Sequence, residues 1–172
     1  MLIPSLPEDP KWRRGVDELF RYYRGGPIVD CGCGRRLSHP DAVGIDEYAG
    51  PDRMYPREMV RPHFQRSFED LPFKDETVTF VTSIDSIEHA KDPFFAIQEW
   101  LRVLVPGGRI AMLVPDKRYV PSDGPLAHGH NQMWTPAEFD LMLRSLAGFD
   151  VVRCEDFNEW WFIVILEKKG DE

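Results

Sequence analysis

The run Ile28, Val29, Asp30, Cys31, Gly32, Cys33, Gly34 constrains the fold of this chain more than any other stretch. It reads as a short apolar strand that ends in an acid and passes into two glycines two positions apart. Glycine tolerates positive φ and carries no Cβ, so backbone amides at such a turn can approach a ligand closely. In an open α/β sheet the carboxyl ends of the strands form the binding crevice. The rest of the chain has to supply a parallel sheet and the other walls of that crevice.

A length of 172 residues suits one domain, expected over 1–172, large enough to build a core without metal or disulfide support. No apolar run reaches membrane-spanning length, so no membrane span is expected. Met1, Leu2, Ile3 and Pro4 lack the basic and apolar blocks of a secretory signal, and three cysteines fit a reducing compartment. Both point to the cytoplasm. A net charge of −8 argues against a nucleic-acid partner, which calls for clustered Lys and Arg. Arg13, Arg14, Arg21 and Arg24 form a basic cluster, read as a solvated helix face.

Local signals divide the chain into elements. Asp9 and Pro10 open a helix in a lead-in over 1–26, with Trp12, Val16, Leu19, Phe20 and Tyr23 on one stripe and Gly25 and Gly26 as its stop. Strands are expected at 27–31 and 42–46, the second again ending in an acid, Asp46. Only residues 32–41, with Pro40 among them, join the two, so the crossover helix has to be very short or distorted. Pro51, Pro56 and Pro62 make 47–63 a loop. Further strands are expected at 64–67, 77–83 and 109–114. Asp92 and Pro93 start a helix with Phe94, Ile97, Leu101 and Leu104 at core spacing, ended by Pro106, Gly107 and Gly108.

Residues 115–134 show no period and read as a long functional loop. Thr135, Pro136 and Glu138 form a capping box ahead of the stripe Phe139, Met142, Leu143 and Leu146, with Gly148 as the stop. Strands at 149–154 and 160–166 are too close for a helical crossover and pair antiparallel. This alternation predicts an α/β fold with a mostly parallel sheet covered on both faces and a closing antiparallel strand pair at the C-terminus.

Asp30 and Asp46 finish adjacent predicted strands, and an acid at the second position is placed to accept both hydroxyls of a ribose. A nicotinamide dinucleotide needs a third glycine where Leu37 stands, so that fingerprint fails. A nucleoside without a pyrophosphate fits more easily.

The chain resembles the class I S-adenosylmethionine-dependent methyltransferases along most of its length. Val29 to Gly34 is similar to the family's first motif, and Val43, Gly44, Ile45, Asp46 to its second. The segment 67–73 resembles the border of the adenine site, 83–89 the turn after the fourth strand, and 99–108 the helix-to-fifth-strand signature. The resemblance implies the three-layer Rossmann-like methyltransferase fold, S-adenosylmethionine as cofactor and S-adenosylhomocysteine as product. It further implies that Cys31, Gly32 and Gly34 pass close to the methionine portion, with Asp30 near its amino group. Asp46, beside Glu47, holds the ribose; Phe68 serves the adenine, with Ser67 where many members carry an acid; Ser83, Ile84 and Asp85 face the cofactor from the opposite side. The compact first crossover resembles a branch associated with cell-surface sugar pathways, which implies a small-molecule or glycan-type acceptor.

Methyl transfer is an in-line displacement, so positioning dominates and acid-base help is secondary. For a hydroxyl acceptor a histidine base is the natural aid. The 115–134 loop offers Asp116, Tyr119, His128 and His130, and either His128 or His130 is the expected base, on the acceptor side with Asp116. No metal site is expected: Cys31, Cys33, His39 and Cys154 lack zinc-module spacing. Arg35 and Arg36 read as a solvated pair or as partners of the methionine carboxylate, His89 as a hydrogen-bonding residue at a helix start, and Trp160 and Trp161 as buried in the closing strand. The rival functions are an inactive cofactor-binding partner subunit and a nicotinamide oxidoreductase.

Overall fold

The computed structural model describes residues 9–52, 58–120 and 130–170. Its elements are α1 (Pro10–Phe20), β1 (Ile28–Cys31), β2 (Ala42–Asp46), β3 (Gly50–Pro51), β4 (Met59–Val60), β5 (Phe64–Gln65), β6 (Val78–Ile84), a 3₁₀ turn (Ile87–His89), α2 (Pro93–Val103), β7 (Leu104–Pro115), α3 (Pro136–Leu143), β8 (Phe149–Asp156) and β9 (Trp161–Lys168). Seven strands form one sheet in the order β5-β2-β1-β6-β7-β9-β8. All pairings are parallel up to β7, and β9 runs antiparallel to both of its neighbours. The expected α/β sheet with a closing antiparallel pair is present. No helix among the described residues is long and apolar enough to cross a membrane.

Period-two alternation decides which side chain goes to which layer. Along β9, Phe162, Val164 and Leu166 pack toward α2 and α3, with Trp100, Ile97, Phe139 and Leu143. Trp161, Ile163 and Ile165 pack on the other face, under Leu19 of α1 and the aromatic rings of Trp12, Phe20, Tyr22 and Tyr23. Both faces of the sheet are therefore apolar, which explains why Ile110 to Val114 of β7 and Trp161 to Leu166 of β9 read as unbroken hydrophobic runs.

The first crossover contains no helix. Residues 32–41 form turns, and Gly32 N and Cys33 N both donate to Ile45 O, at 2.8 and 3.1 Å, which folds the glycine turn onto the end of β2. The register sets Asp30 against Gly44 and Cys31 against Ile45, so β1 and β2 finish side by side.

The expected stops of the three helices need correction. α1 ends at Phe20, before Gly25 and Gly26, and α3 at Leu143, before Gly148. After α2 the chain enters β7 at Leu104, and Pro106, Gly107 and Gly108 lie within the strand, where the register against β6 shifts between Val78 and Phe80. The helix ends because Leu104 takes extended backbone to join the sheet, with Gly107 at positive φ inside the bulge. The small β3-β4 hairpin inside the expected 47–63 loop went unread, being only two residues a side.

Trp100 is fully buried, and its indole N–H donates to the Phe68 carbonyl at 2.9 Å, joining α2 to the 67–73 segment beside the crevice. Replacing it by phenylalanine leaves that carbonyl without its donor, and replacing it by alanine leaves a cavity as well. We expect Trp100→Phe to lower unfolding free energy by about 1–3 kcal/mol and Trp100→Ala by about 3–5 kcal/mol, read from urea denaturation. Equal losses in the two variants would refute the separate hydrogen-bond contribution.

Candidate functional site

The carboxyl ends of β1, β2, β6 and β7 meet at one edge of the sheet, and each is followed by an acid-bearing turn. Asp30 at the end of β1 is buried: its Oδ2 accepts from Ser38 N at 2.7 Å and its Oδ1 from the Thr82 hydroxyl at 3.1 Å. Burial pushes this carboxyl up to about 6, while the bonds from Ser38 and Thr82 pull the other way. The side chain expected beside a ligand amino group is thus committed first to its own loop. Asp46 at the end of β2 accepts from Gly34 N at 3.0 Å and from Tyr48 N at 2.9 Å. Glu47 beside it is exposed, with its carbonyl accepting from Gln65 Nε2.

Gly32 and Gly34 both have positive φ, 71° and 53°. A Cβ on Gly32 would lie 2.2 Å from Ser86 Oγ, so this glycine is required for the turn to meet the end of β6. Ser86 Oγ donates to Gly32 O at 3.0 Å and to Ile84 O at 2.8 Å and stitches the two turns together. Around Gly34, in contrast, no heavy atom of the described residues lies within 4 Å of a Cβ position. That open face, next to the Asp46 carboxylate, is where a ligand backbone contact can form. Cys31 contributes backbone alone, since its thiol is in the core and burial raises its pKa well above the usual thiol value. Burial likewise pushes the Cys33 thiol up to about 12.

From β6, Ser83 is buried and its Oγ finds no hydrogen-bond partner among the described residues, while Ile84 is half-buried. Asp85 has φ 49° and accepts from the indole N–H of Trp161; burial pushes its carboxyl up to about 6. Ser67 Oγ accepts from Glu69 N at 3.1 Å. The Phe68 carbonyl is taken by Trp100, and the half-buried Phe68 ring, set edge-on to Trp100, borders the same end of the crevice. This set of groups fits the nucleoside and amino-acid parts of S-adenosylmethionine: a carboxylate at the end of β2, an open glycine turn and a buried hydroxyl at the end of β6.

The acceptor-side expectations separate. Asp116 is fully buried and accepts from the backbone N, Nε and Nη2 of Arg118, which also pairs with Asp156. Expected among the catalytic groups, it anchors the start of the loop in this structure, where it also bridges to Trp134. His128 lies outside the described residues. His130 is described, with its Nε2 3.8 Å from Glu88 Oε1 and its ring edge-to-face with His89. Burial together with Asp85 raises the Glu88 carboxyl well above its ordinary range. The sequence reading missed Glu88 as a site residue, and its adjacency to His89 after a strand was the available signal. Arg35 and Arg36 are paired rather than solvated, with Glu58 at 2.7 and 3.7 Å.

The folded-state pKa of Asp30 lies above the 3.8 of an ordinary aspartate, so the native protein binds more protons between about pH 4 and 6. Its contribution to stability is present at low pH and is lost as pH rises through 6. Between pH 4 and 7 we expect the wild type to lose roughly 2–3 kcal/mol more stability than Asp30→Asn does. Urea unfolding of both across that range measures the difference, and parallel profiles would disprove it.

Comparison with known proteins agrees with this geometry. A family model described as a methyltransferase domain matches residues 29–112. The ubiquinone/menaquinone biosynthesis C-methyltransferase UbiE of Geobacter sulfurreducens is 31% identical over 127 residues, 63% of this chain and 49% of that protein. The chain spans about half the length of the curated relatives it matches. Among solved structures, a possible histamine N-methyltransferase from Thermotoga maritima superposes with a TM-score of 0.66 at 20% identity, covering 91% of this chain and 87% of that one. The 1,6-didemethyltoxoflavin-N1-methyltransferase of Burkholderia thailandensis, with 1,6-didemethyltoxoflavin and S-adenosylhomocysteine bound, gives 0.66 at 17% identity, covering 95% and 80%. Motifs, sheet order and relatives converge: residues 29–112 match a methyltransferase domain, and the chain has the fold of the S-adenosylmethionine-dependent methyltransferases.

Proposed function

We propose that this chain transfers the methyl group of S-adenosylmethionine to a small-molecule or sugar-containing acceptor in the cytoplasm. The observation that carries the reading is the paired ending of β1 and β2, with the open face of Gly34 beside the Asp46 carboxylate. In this reading Asp46 accepts the ribose hydroxyls, the 32–34 backbone and Asp30 hold the amino-acid portion, the Phe68 ring borders the adenine, and Ser83 with Asp85 closes the opposite side. The cofactor supplies an electrophilic methyl on a sulfonium. The protein's part is to fix the acceptor in line with that methyl and to keep water out.

Support for a small acceptor comes from the relatives, whose names specify a ubiquinone/menaquinone biosynthesis C-methyltransferase and a 1,6-didemethyltoxoflavin-N1-methyltransferase. The net charge of −8 disfavours a nucleic-acid acceptor. Three free cysteines, with the thiols of Cys31 and Cys33 held protonated by burial, support a reducing compartment. Of the expected acceptor-side residues that are described, His130 has its ring against the 3₁₀ turn after β6.

Binding of S-adenosylhomocysteine by calorimetry tests this function. We expect saturable one-to-one binding, with Asp46→Ala at least about tenfold weaker, a loss of about 1.4 kcal/mol or more. Circular dichroism of the variant should match the wild type. Binding of NAD without S-adenosylhomocysteine, or unchanged affinity in Asp46→Ala, would reject the proposed site.

A further inference from the structure

Glu88 sits fully buried in the 3₁₀ turn, and among the described residues neither of its carboxylate oxygens has a hydrogen-bond partner. A buried carboxylate without donors is strongly unfavourable. The two imidazoles nearest to it do not supply donors: His89 Nε2 and His130 Nε2 each lie 3.8 Å from the same Oε1, beyond hydrogen-bond length. One ligand atom from each of Glu88, His89 and His130 falls within 4.8 Å of the other two. Separations of about 3–4 Å are what two donors show when both bind one ion at about 2.0–2.2 Å. His130 Nδ1 is also buried without a hydrogen-bond partner among the described residues.

Backbone contacts hold this spacing independently of the three side chains. Asn131 N and Gln132 N donate to Glu88 O at 2.8 and 3.3 Å, and Asn131 Nδ2 donates to His89 O at 2.8 Å and Ala90 O at 3.2 Å. The segment carrying His130 is thereby pinned to the turn carrying Glu88 and His89. That turn is in its turn tied to the glycine turn through Ser86 and Gly32 O.

We infer that Glu88, His89 and His130 form a binding site for one divalent transition-metal ion, of the zinc or manganese kind, at the acceptor side of the crevice. Two imidazoles and one carboxylate leave coordination positions open, as in catalytic rather than structural sites, and imidazole donors favour such ions over magnesium. Resting on the methyl-transfer reading, the site deepens it by naming the acceptor group as a hydroxyl. An oxygen held at the ion has a lowered pKa. Its proton leaves to bulk water on the exposed His89 side, its electron pair forms the bond to the methyl carbon, and the pair of the breaking sulfur–carbon bond stays on sulfur. His130 is then a ligand and not the base.

The test titrates MnCl2, and separately ZnCl2, into chelator-treated full chain by calorimetry, with S-adenosylhomocysteine titrated into the same samples. One ion per chain is expected for the wild type. Glu88→Gln, His89→Ala and His130→Ala should each weaken it about tenfold or more, with S-adenosylhomocysteine affinity kept within about threefold. If the buried Glu88→Gln variant does not fold, His89→Ala at the exposed position decides. No saturable ion binding, or wild-type affinity in both histidine variants, overturns the site. S-adenosylhomocysteine binding without ion binding rejects the metal site alone, whereas ion binding without it upholds the metal site and rejects the methyltransferase reading.

Discussion

Because the link between β1 and β2 forms no helix, the backbone amides of residues 32–38 have no helical carbonyls to bond, and the strand-end carboxylates take their place. Asp30 accepts from Ser38 N and Asp46 from Gly34 N, while Ile45 O accepts from Gly32 N and Cys33 N. Buried backbone donors must be satisfied somewhere. Here that requirement and the shape of the crevice are met by the same few atoms. The glycine turn is held against the end of β2 and cannot drift from the carboxylate that is proposed to bind the ribose.

A common pattern runs along the functional edge. Four aspartates stand at or just beyond strand ends, and each holds the loop that follows or a neighbouring strand: Asp30 the crossover, Asp46 the start of the 47–63 segment, Asp85 the Trp161 indole of β9, and Asp116 the Arg118 guanidinium. Asp30 and Asp85 are raised to about 6 by burial. Glu88 differs from all four in having no donor among the described residues, and this marks it as a group built for something other than loop anchoring.

Helix beginnings were legible in the chain because their signals are local. Asp9 with Pro10, Asp92 with Pro93 and Thr135 with Pro136 are each an N-cap followed by proline at the first helical position, and all three cap as expected. Helix endings were misplaced at 25–26, 106–108 and 148. Where a helix stops depends on where the sheet takes the chain over, and Leu104 leaves the helix to pair with Val78, far away in sequence.

Alternation of apolar residues, strand-end acids and the two glycines determined from sequence alone that this is a mostly parallel α/β sheet with a glycine turn and carboxylates at its carboxyl edge, since each is a property of neighbouring residues. Which acids remain available to a ligand was decided by the tertiary structure. Asp85 meets the Trp161 indole, and Arg118 links Asp116 to Asp156, only after β7, β9 and β8 pair. The convergence of Glu88, His89 and His130 was equally invisible in the chain, because Asn131 and Gln132 have to hydrogen-bond to the turn after β6 before the distant histidine meets its partners.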